Sequence, residues 1–336
     1  MTDERVQLGH GSGGRLTHEL IERLFLRHLD SPLLAPLGDA ALLDAGPTRL
    51  ALTTDSFVVS PLFFAGGDIG SLAVNGTVND LAVSGALPRW LSLGLILEEG
   101  LPMETLERVV RSVARAAEVA GVQVVTGDTK VVERGKGDGL FINTAGVGLL
   151  RPGYPEGARA AGPGDALLVS GPLGDHGAVI LAARSGVELS GPLVSDCAPV
   201  IDLVDGLFEA GVTPLFMRDP TRGGLAGVAC DLAEQLRRGL VLDEAQIPLG
   251  PDVATLCDLL GTDPLQLACE GRVVALVGAD EADRALAAWR GRPAGAGARR
   301  IGVLDDRRPG QVVLNTRFGG QRRVVRPAAE LLPRIC

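Results

Sequence analysis

LPMETLERVVRSVARAAEVAGVQVVTGDTKVV, residues 101–132, decides how the first half of the chain is built. Over 101–120 the apolar residues recur at helical spacing, so that Leu106, Val109, Val110, Val113 and Ala117 form one stripe. Pro102 suits a first turn, and Gly121 supplies the stop. Residues 122–125 then switch to a strand-like run, and Gly127-Asp128-Thr129-Lys130 reads as a loop leading towards a second apolar strand over 140–150. Upstream the alternation continues. Residues 16–29 are amphipathic through Leu16, Leu20, Ile21 and Leu24; 50–59 read as a strand carrying Thr53, Thr54, Asp55 and Ser56; 71–84 read as a helix holding Asn79 and Asp80; 90–97 read as a strand. Mixed strands and helices of this kind predict an α/β (α+β) fold.

Downstream, 151–164 contains three prolines and four glycines with no periodicity, which marks a domain boundary. The expected division is 1–155, 156–325 and a tail over 326–336. The second half predicts strands over 166–170, 272–278 and 311–314, and helices over 175–186 and 224–238. The tail holds two prolines and no period, and so reads as a segment able to leave the body of the fold.

A chain of 336 residues, 46% hydrophobic and 22% charged, has enough material for two globular domains. No apolar run reaches the roughly 18 residues of a membrane span, and the polar, glycine-rich amino terminus lacks a signal pattern. A cytoplasmic protein is the expectation. The net charge of −9 excludes a basic nucleic-acid surface. The five cysteines, at 197, 230, 257, 269 and 336, form no CxxC pair. Lys130 and Lys136 are the two lysines among 32 basic residues, so a compact ammonium at 130 is notable in a chain that otherwise uses arginine.

Gly9-His10-Gly11-Ser12-Gly13-Gly14 fits GxGxxG literally but has only Val6-Gln7-Leu8 before it, too little for a dinucleotide fold. A glycine-rich segment closing over phosphates suits it better, with a frayed terminus as the alternative. Asp39, Asp55, Asp80 and Asp128 each sit among small residues. Singly each is an ordinary turn or cap residue, whereas together they are hard-oxygen donors suited to Mg²⁺ and a nucleotide. Asp219-Pro220-Thr221-Arg222-Gly223-Gly224 either caps a helix or presents N–H groups to an anion. Glu270, in Cys269-Glu270-Gly271-Arg272, is either a general base or the partner of Arg272. The terminal Cys336 is either an untidy end or a thiol on a tether, modified in one place and inserted in another.

HGSGG (10–14), TDS (54–56), GTVNDLAVSGA (76–86), LEEGLPMETL (97–106), VTGDTKVVERG (125–135), LFINTAGVG (140–148), LVSGPLGDHG (168–177), DPTRGG (219–224) and PRIC (333–336) resemble, in order and over nearly the whole chain, the HypE family of hydrogenase-maturation proteins. That family is similar to aminoimidazole ribonucleotide synthetase, selenophosphate synthetase and thiamine monophosphate kinase. The resemblance implies two α/β domains, a homodimer formed through the first domain, and ATP with Mg²⁺ in a cleft between domains and subunits. It also implies that Cys336 accepts a carbamoyl group from a HypF carbamoyltransferase, that ATP drives dehydration of this carboxamide to a thiocyanate, and that the cyano group passes to iron on a HypC–HypD scaffold.

Carried onto this chain, the resemblance places Lys130 and Glu270 near the reacting group. It assigns Gly11, Gly13, Gly14, Asp39, Asp55, Asn79, Asp80, Gly127 and Asp128 to the nucleotide, and Asp39, Asp55, Asp80 and Asp128 to the metal. Two positions depart from the pattern: Cys269 stands where an asparagine is expected, and Gly38-Asp39 is one carboxylate short. A superfamily cousin such as selenophosphate synthetase would want a reactive Cys or Sec near the glycine-rich start, which this chain lacks. A non-catalytic assembly scaffold would show no ATP turnover.

Overall fold

The computed structural model describes residues 14–29, 33, 37–152, 154, 161–187, 191, 193–327 and 334–336. Gly11 and Gly13 lie outside the described residues. Helix α1 (Arg15–Leu20) continues through a π-helical turn (Ile21–Phe25) into α2 (Leu26–Leu29). The first sheet uses β1 (Ala41–Ala45), β2 (Thr48–Phe57), β5 (Ala86–Glu98), β6 (Gln123–Val132) and β7 (Leu140–Leu150), in the order β1-β2-β7-β5-β6. A small pair, β3 (Phe63–Phe64) and β4 (Gly67–Asp68), leads into α3 (Ile69–Val83), and α4 (Met103–Ala120) packs beside α3.

Helix α3 is buried on almost every side. It packs on the first sheet, and Ala82 and Val83 at its end join the core of the second half. Its start is closed by a capping box in which Asp68 accepts from the Gly70 and Ser71 N–H groups, at 2.8 and 3.0 Å. Helix α4 has the predicted stop, Gly121 in the left-handed region at φ 67°. Its buried face is Val109, Val113, Ala116, Ala117 and Ala120, while Val110, expected in the stripe, faces outward.

Gly127-Asp128-Thr129-Lys130 is not a loop. It lies inside β6, parallel to β5, with Gly127 opposite Leu93 and Lys130 opposite Ile96. The flanking valines carry the strand through the polar residues. Gly127 is needed because a Cβ there would stand 2.4 Å from the Leu93 carbonyl oxygen. A register shift between Leu91 and Ser92 takes up the irregularity.

The second sheet has the order β14-β13-β10-β12-β8-β11-β9. Its strands are β8 (Ala166–Val169), β9 (Phe216–Arg218), β10 (Gly239–Asp243), β11 (Val274–Val277), β12 (Arg299–Asp305), β13 (Val312–Asn315) and β14 (Gln321–Val324). Helices α5 (Asp175–Ser185), α6 (Ile201–Glu209), α7 (Gly224–Leu236), α8 (Pro251–Leu260) and α9 (Ala282–Arg290) accompany it. Among the described residues no helix is long and apolar enough to cross a membrane.

Candidate active site

Strand β2 runs out at Phe57, and the chain end pairs with the residues that follow it. The Val58 N–H donates to a main-chain oxygen of Cys336 at 2.9 Å, and the Ser60 N–H donates to the Arg334 carbonyl at 3.3 Å. Arg334 Nε donates to the Val58 carbonyl at 2.8 Å, and its guanidinium also pairs with Asp138. Ile335 and Cys336 are 5% and 7% exposed and pack into the apolar cluster of Phe57, Val59, Ile69 and Leu140. The end read from sequence as a detachable segment is therefore seated at residues 334–336. Burial of these two side chains and four polar contacts with β2's extension and Asp138 hold it there.

The seat opens into a pocket of about 380 Å³ whose walls include Asp55, Asn143, Arg222 and Cys336. Arg222 Nη1 donates to Cys336 Sγ at 3.2 Å, and Nη2 stands 3.8 Å from Asp55 Oδ1. This arginine comes from the loop between β9 and α7, where Gly223 and Gly224 both take positive φ, 77° and 57°. Gly224 is required, since a Cβ would meet the Leu265 and Leu267 carbonyl oxygens at 2.6 Å.

Carboxyl groups crowd around Asp55 and Arg222. Glu270 is 1% exposed and its Oε1 has no hydrogen-bond partner. Burial, and then the negative charge of Asp219, Asp196 and Asp55, raises its pKa well above the ordinary glutamate value, with Arg222 opposing. Asp219 Oδ2 is likewise buried without a partner, and burial followed by the charge of Asp39 raises that group. Asp80 accepts from Thr53 Oγ1 at 2.9 Å, and burial, Asp219, Asp39 and Asp55 push its pKa up. Burial also raises Asp55. Asp39 is ion-paired with Arg218 at 2.9 Å. These groups would be relieved by a cation, and hard oxygen donors suit Mg²⁺. Among the described residues, however, no three His, Cys, Asp or Glu side chains stand close enough to hold a metal ion alone.

Asn79 holds the main chain around Glu270. Its Nδ2 donates to the Glu270 and Ala198 carbonyls at 3.0 and 3.1 Å, and its Oδ1 accepts from the Val200 N–H at 2.9 Å. The Glu270 N–H donates to Asp196 Oδ1 at 3.1 Å. Arg272 turns away to Asp175 and Asp196 and to the Pro172 carbonyl. The Cys269 N–H donates to the Pro220 carbonyl at 2.9 Å, tying the Glu270 segment to the Arg222 loop.

The structure thus gathers Asp39, Asp55, Asn79, Asp80, Glu270 and Cys336. It does not bring Asp128 and Lys130 to them. In the row that joins Asp55, Thr144, Leu93 and Gly127, β2 and β6 are three inter-strand spacings apart, about 14 Å. Alternation along the strands puts Asp55 on the α3 face and Asp128 and Lys130 on the other. Lys130 Nζ lies 2.5 Å from Asp128 Oδ2 with its side chain 68% exposed, and that contact holds Asp128 below the usual carboxylate range. Gly14 is a buried N-cap residue of α1, and the next residue's N–H donates to the Pro327 carbonyl at 3.4 Å. Asp219, Arg222, Asp196 and His176 join the site without having been assigned to it. The Asp219–Gly224 run and the polar loop Gly174-Asp175-His176-Gly177 were the available signals, but in sequence alone capping and turn chemistry explain them equally well.

Two family profiles span most of the chain: AIR synthase related protein, N-terminal domain, over residues 37–150, and its C-terminal domain over 162–315. The chain is thus an AIR synthase related protein. It is 50% identical over 339 residues to a carbamoyl dehydratase HypE of Rhodobacter capsulatus, covering 100% of this chain and 99% of the relative. A crystal structure of a HypE–HypF complex superposes with a TM-score of 0.86 at 43% identity, covering 92% of this chain and 99% of that one. A HypE in complex with ATP gives a TM-score of 0.81 at 48% identity, covering 99% and 100%. Within the AIR synthase related proteins, this chain belongs to the carbamoyl dehydratase HypE family.

Proposed function

We propose that this chain is an ATP-dependent carbamoyl dehydratase that works on its own last residue. The carboxamide carried on the Cys336 sulfur loses water and becomes a thiocyanate, ATP becomes ADP and phosphate, and the cyano group serves the iron of a [NiFe]-hydrogenase. The observation that carries the reading is the seat of Cys336. Its sulfur is held by Arg222 at the mouth of a pocket that Asp55 also lines. The related HypE–HypF complex supports a HypF-type carbamoyltransferase as donor partner, and the related HypE–ATP complex supports ATP as co-substrate. Transfer to a HypC–HypD scaffold and a cytoplasmic location complete the reading.

Bound ATP supplies the phosphoryl group that turns the carboxamide oxygen into a leaving group. Two N–H protons must then depart, and Glu270, raised by burial and neighbouring charge, is a stronger base than a solvated carboxylate. Arg222 ties the sulfur to Asp55, and the buried docking of Ile335 and Cys336 keeps water from the reacting carbon. Asp39, Asp55, Asp80 and Asp219 are the side chains from which one or two would hold Mg²⁺ beside the phosphates. Asp55→Ala is expected to weaken Mg²⁺–ATP binding at least tenfold by calorimetry, and Asp128→Ala to do the same; undiminished affinity in both would remove them from the nucleotide site.

The outer face of the first sheet, which carries Asp128 and Lys130, also exposes Ile96 beside Lys130 and Leu52 and Trp90 further along it. A homodimer closing on this face would cover those apolar side chains, and the Asp128–Lys130 pair would then complete the site across the interface. Light scattering is expected to give a dimer at micromolar concentration and a monomer for the Trp90→Glu, Ile96→Glu double variant. A monomeric parent protein would refute this arrangement.

The direct test of the function is the mass of the C-terminal peptide. After the carbamoyl donor system has acted, ATP should remove one water from the Cys336 adduct. A carboxamide that persists in the presence of ATP overturns the reading.

A further inference from the structure

One buried titratable side chain touches the seated end and has no part in the chemistry above. His176, in the first turn of α5, is fully buried. Its Nε2 lies 2.8 Å from the Ile335 carbonyl oxygen, and its Nδ1 lies 2.8 Å from Ser195 Oγ. A carbonyl only accepts, so Nε2 carries the hydrogen and Nδ1 must accept from the Ser195 hydroxyl. Ser195 is fixed in that role because its oxygen accepts from the Cys197 N–H at 3.1 Å and its own N–H donates to the Ala65 carbonyl at 2.8 Å. The Phe64 ring meets the imidazole edge-on, 5.2 Å between centroids. Burial lowers the His176 pKa to about 4, so the ring is neutral at physiological pH. A neutral imidazole in one fixed tautomer is therefore aimed at the backbone one residue before the reacting sulfur.

Resting on the dehydratase reading, we propose that His176 is a positioning residue of this reaction: through Ser195 and the Ile335 carbonyl it recognises the docked C-terminal end and sets where the Cys336 adduct sits. When the end withdraws to receive its carbamoyl group, the hydrogen bond from the Nε2–H of His176 to the Ile335 carbonyl is lost, and that bond favours the docked end. The imidazole thus favours return of the end to the cleft. It acts on docking and leaves carbamoylation untouched.

The test uses the full chain and the variants His176→Leu, His176→Gln and Ser195→Ala, with three rates followed on the C-terminal peptide by mass spectrometry. These are capping of unmodified Cys336 by iodoacetamide, acceptance of a carbamoyl group from the donor system, and ATP-driven loss of water in a single turnover. His176→Leu is expected to raise capping roughly 5- to 30-fold, the span set by one lost hydrogen bond to a buried group. It should slow dehydration without slowing carbamoyl acceptance. The glutamine, whose amide can donate to Ile335 and accept from Ser195, should move capping and dehydration back towards wild type, and Ser195→Ala should lie between. Parental capping and dehydration in His176→Leu overturn the proposal. So does raised capping together with loss of both carbamoyl acceptance and dehydration in every variant, the glutamine included, which marks a residue needed only for folding. If the parent chain shows no ATP-driven loss of water, the dehydratase reading fails, while the capping ratios still decide whether His176 holds the end.

Discussion

Cys336→Ala should give no thiocyanate in any amount of time, and still bind ATP. The sulfur is the atom on which the carboxamide is built, so the loss is complete. The rest of the site stays in place, because Cys336 Sγ is one partner of an Arg222 that also faces Asp55. Losing one buried sulfur should cost about 1–2 kcal/mol of stability at most. Calorimetry with ATP and the mass of the tail peptide check both halves. Hydrogenase maturation at the parental level in cells carrying this variant would remove Cys336 from the chemistry.

The second large effect is at Glu270. Glu270→Gln should accept a carbamoyl group and bind ATP, yet convert carboxamide to thiocyanate about 10²–10⁴ times more slowly, equivalent to about 2.7–5.4 kcal/mol of barrier. The amide keeps the shape of the side chain, and Asn79 and Asp196 grip the Glu270 backbone rather than its carboxyl group. The pH profile adds an independent check. A base must be unprotonated, and the carboxyl is raised well above the usual glutamate value. Single-turnover dehydration should therefore fall as pH is lowered, and begin to fall at higher pH than the ordinary value of about 4.3 implies. The glutamine variant should lack that limb. Loss of water at the parental rate in Glu270→Gln would make Glu270 structural and send the search for the base elsewhere. His176 is poorly suited to replace it, since its Nε2 is already bonded to Ile335 and its pKa is depressed to about 4.

Much of the fold was legible because its signals are local. The stop at Gly121 and the 3.6-residue period of α4 need no knowledge of the rest of the chain, and neither does the apolar run of β8. The loop expected at 127–130 failed because Gly-Asp is read as turn chemistry when the neighbouring strand is unknown. The reason for Gly127 is the Leu93 carbonyl, more than thirty residues earlier. Helices α6, α8 and α9 and strands β9, β10, β12 and β14 were not foreseen, being short segments of mixed pattern whose burial comes from distant partners, the second sheet for most of them and α5 for α8.

The site was legible as a set of residues more than as a place. Asp55, Arg222, Glu270 and Cys336 have no mutual spacing in sequence. Only the stacking of the two halves around α3, together with the chain end bonded to the residues after β2, puts Asp55, Arg222 and Cys336 on one pocket and Glu270 within reach of the charges of Asp55 and Arg222. Lys130 shows the converse. Its rarity singled it out, but the handedness of strand alternation decides which face it occupies, and that face is the one turned away from Asp55.

The seat of Cys336 against Val58 has a kinetic consequence. A substrate attached to its own enzyme is present at a fixed local concentration, however dilute the protein becomes. With ATP saturating and the proposed dimer intact, dehydration should therefore proceed at a rate independent of dilution, whereas receiving the carbamoyl group and handing on the cyano group are encounters that slow in proportion. In a dilute cell extract the protein would accumulate in whichever state awaits an encounter, as bare thiol when the donor is scarce and as thiocyanate when the acceptor is.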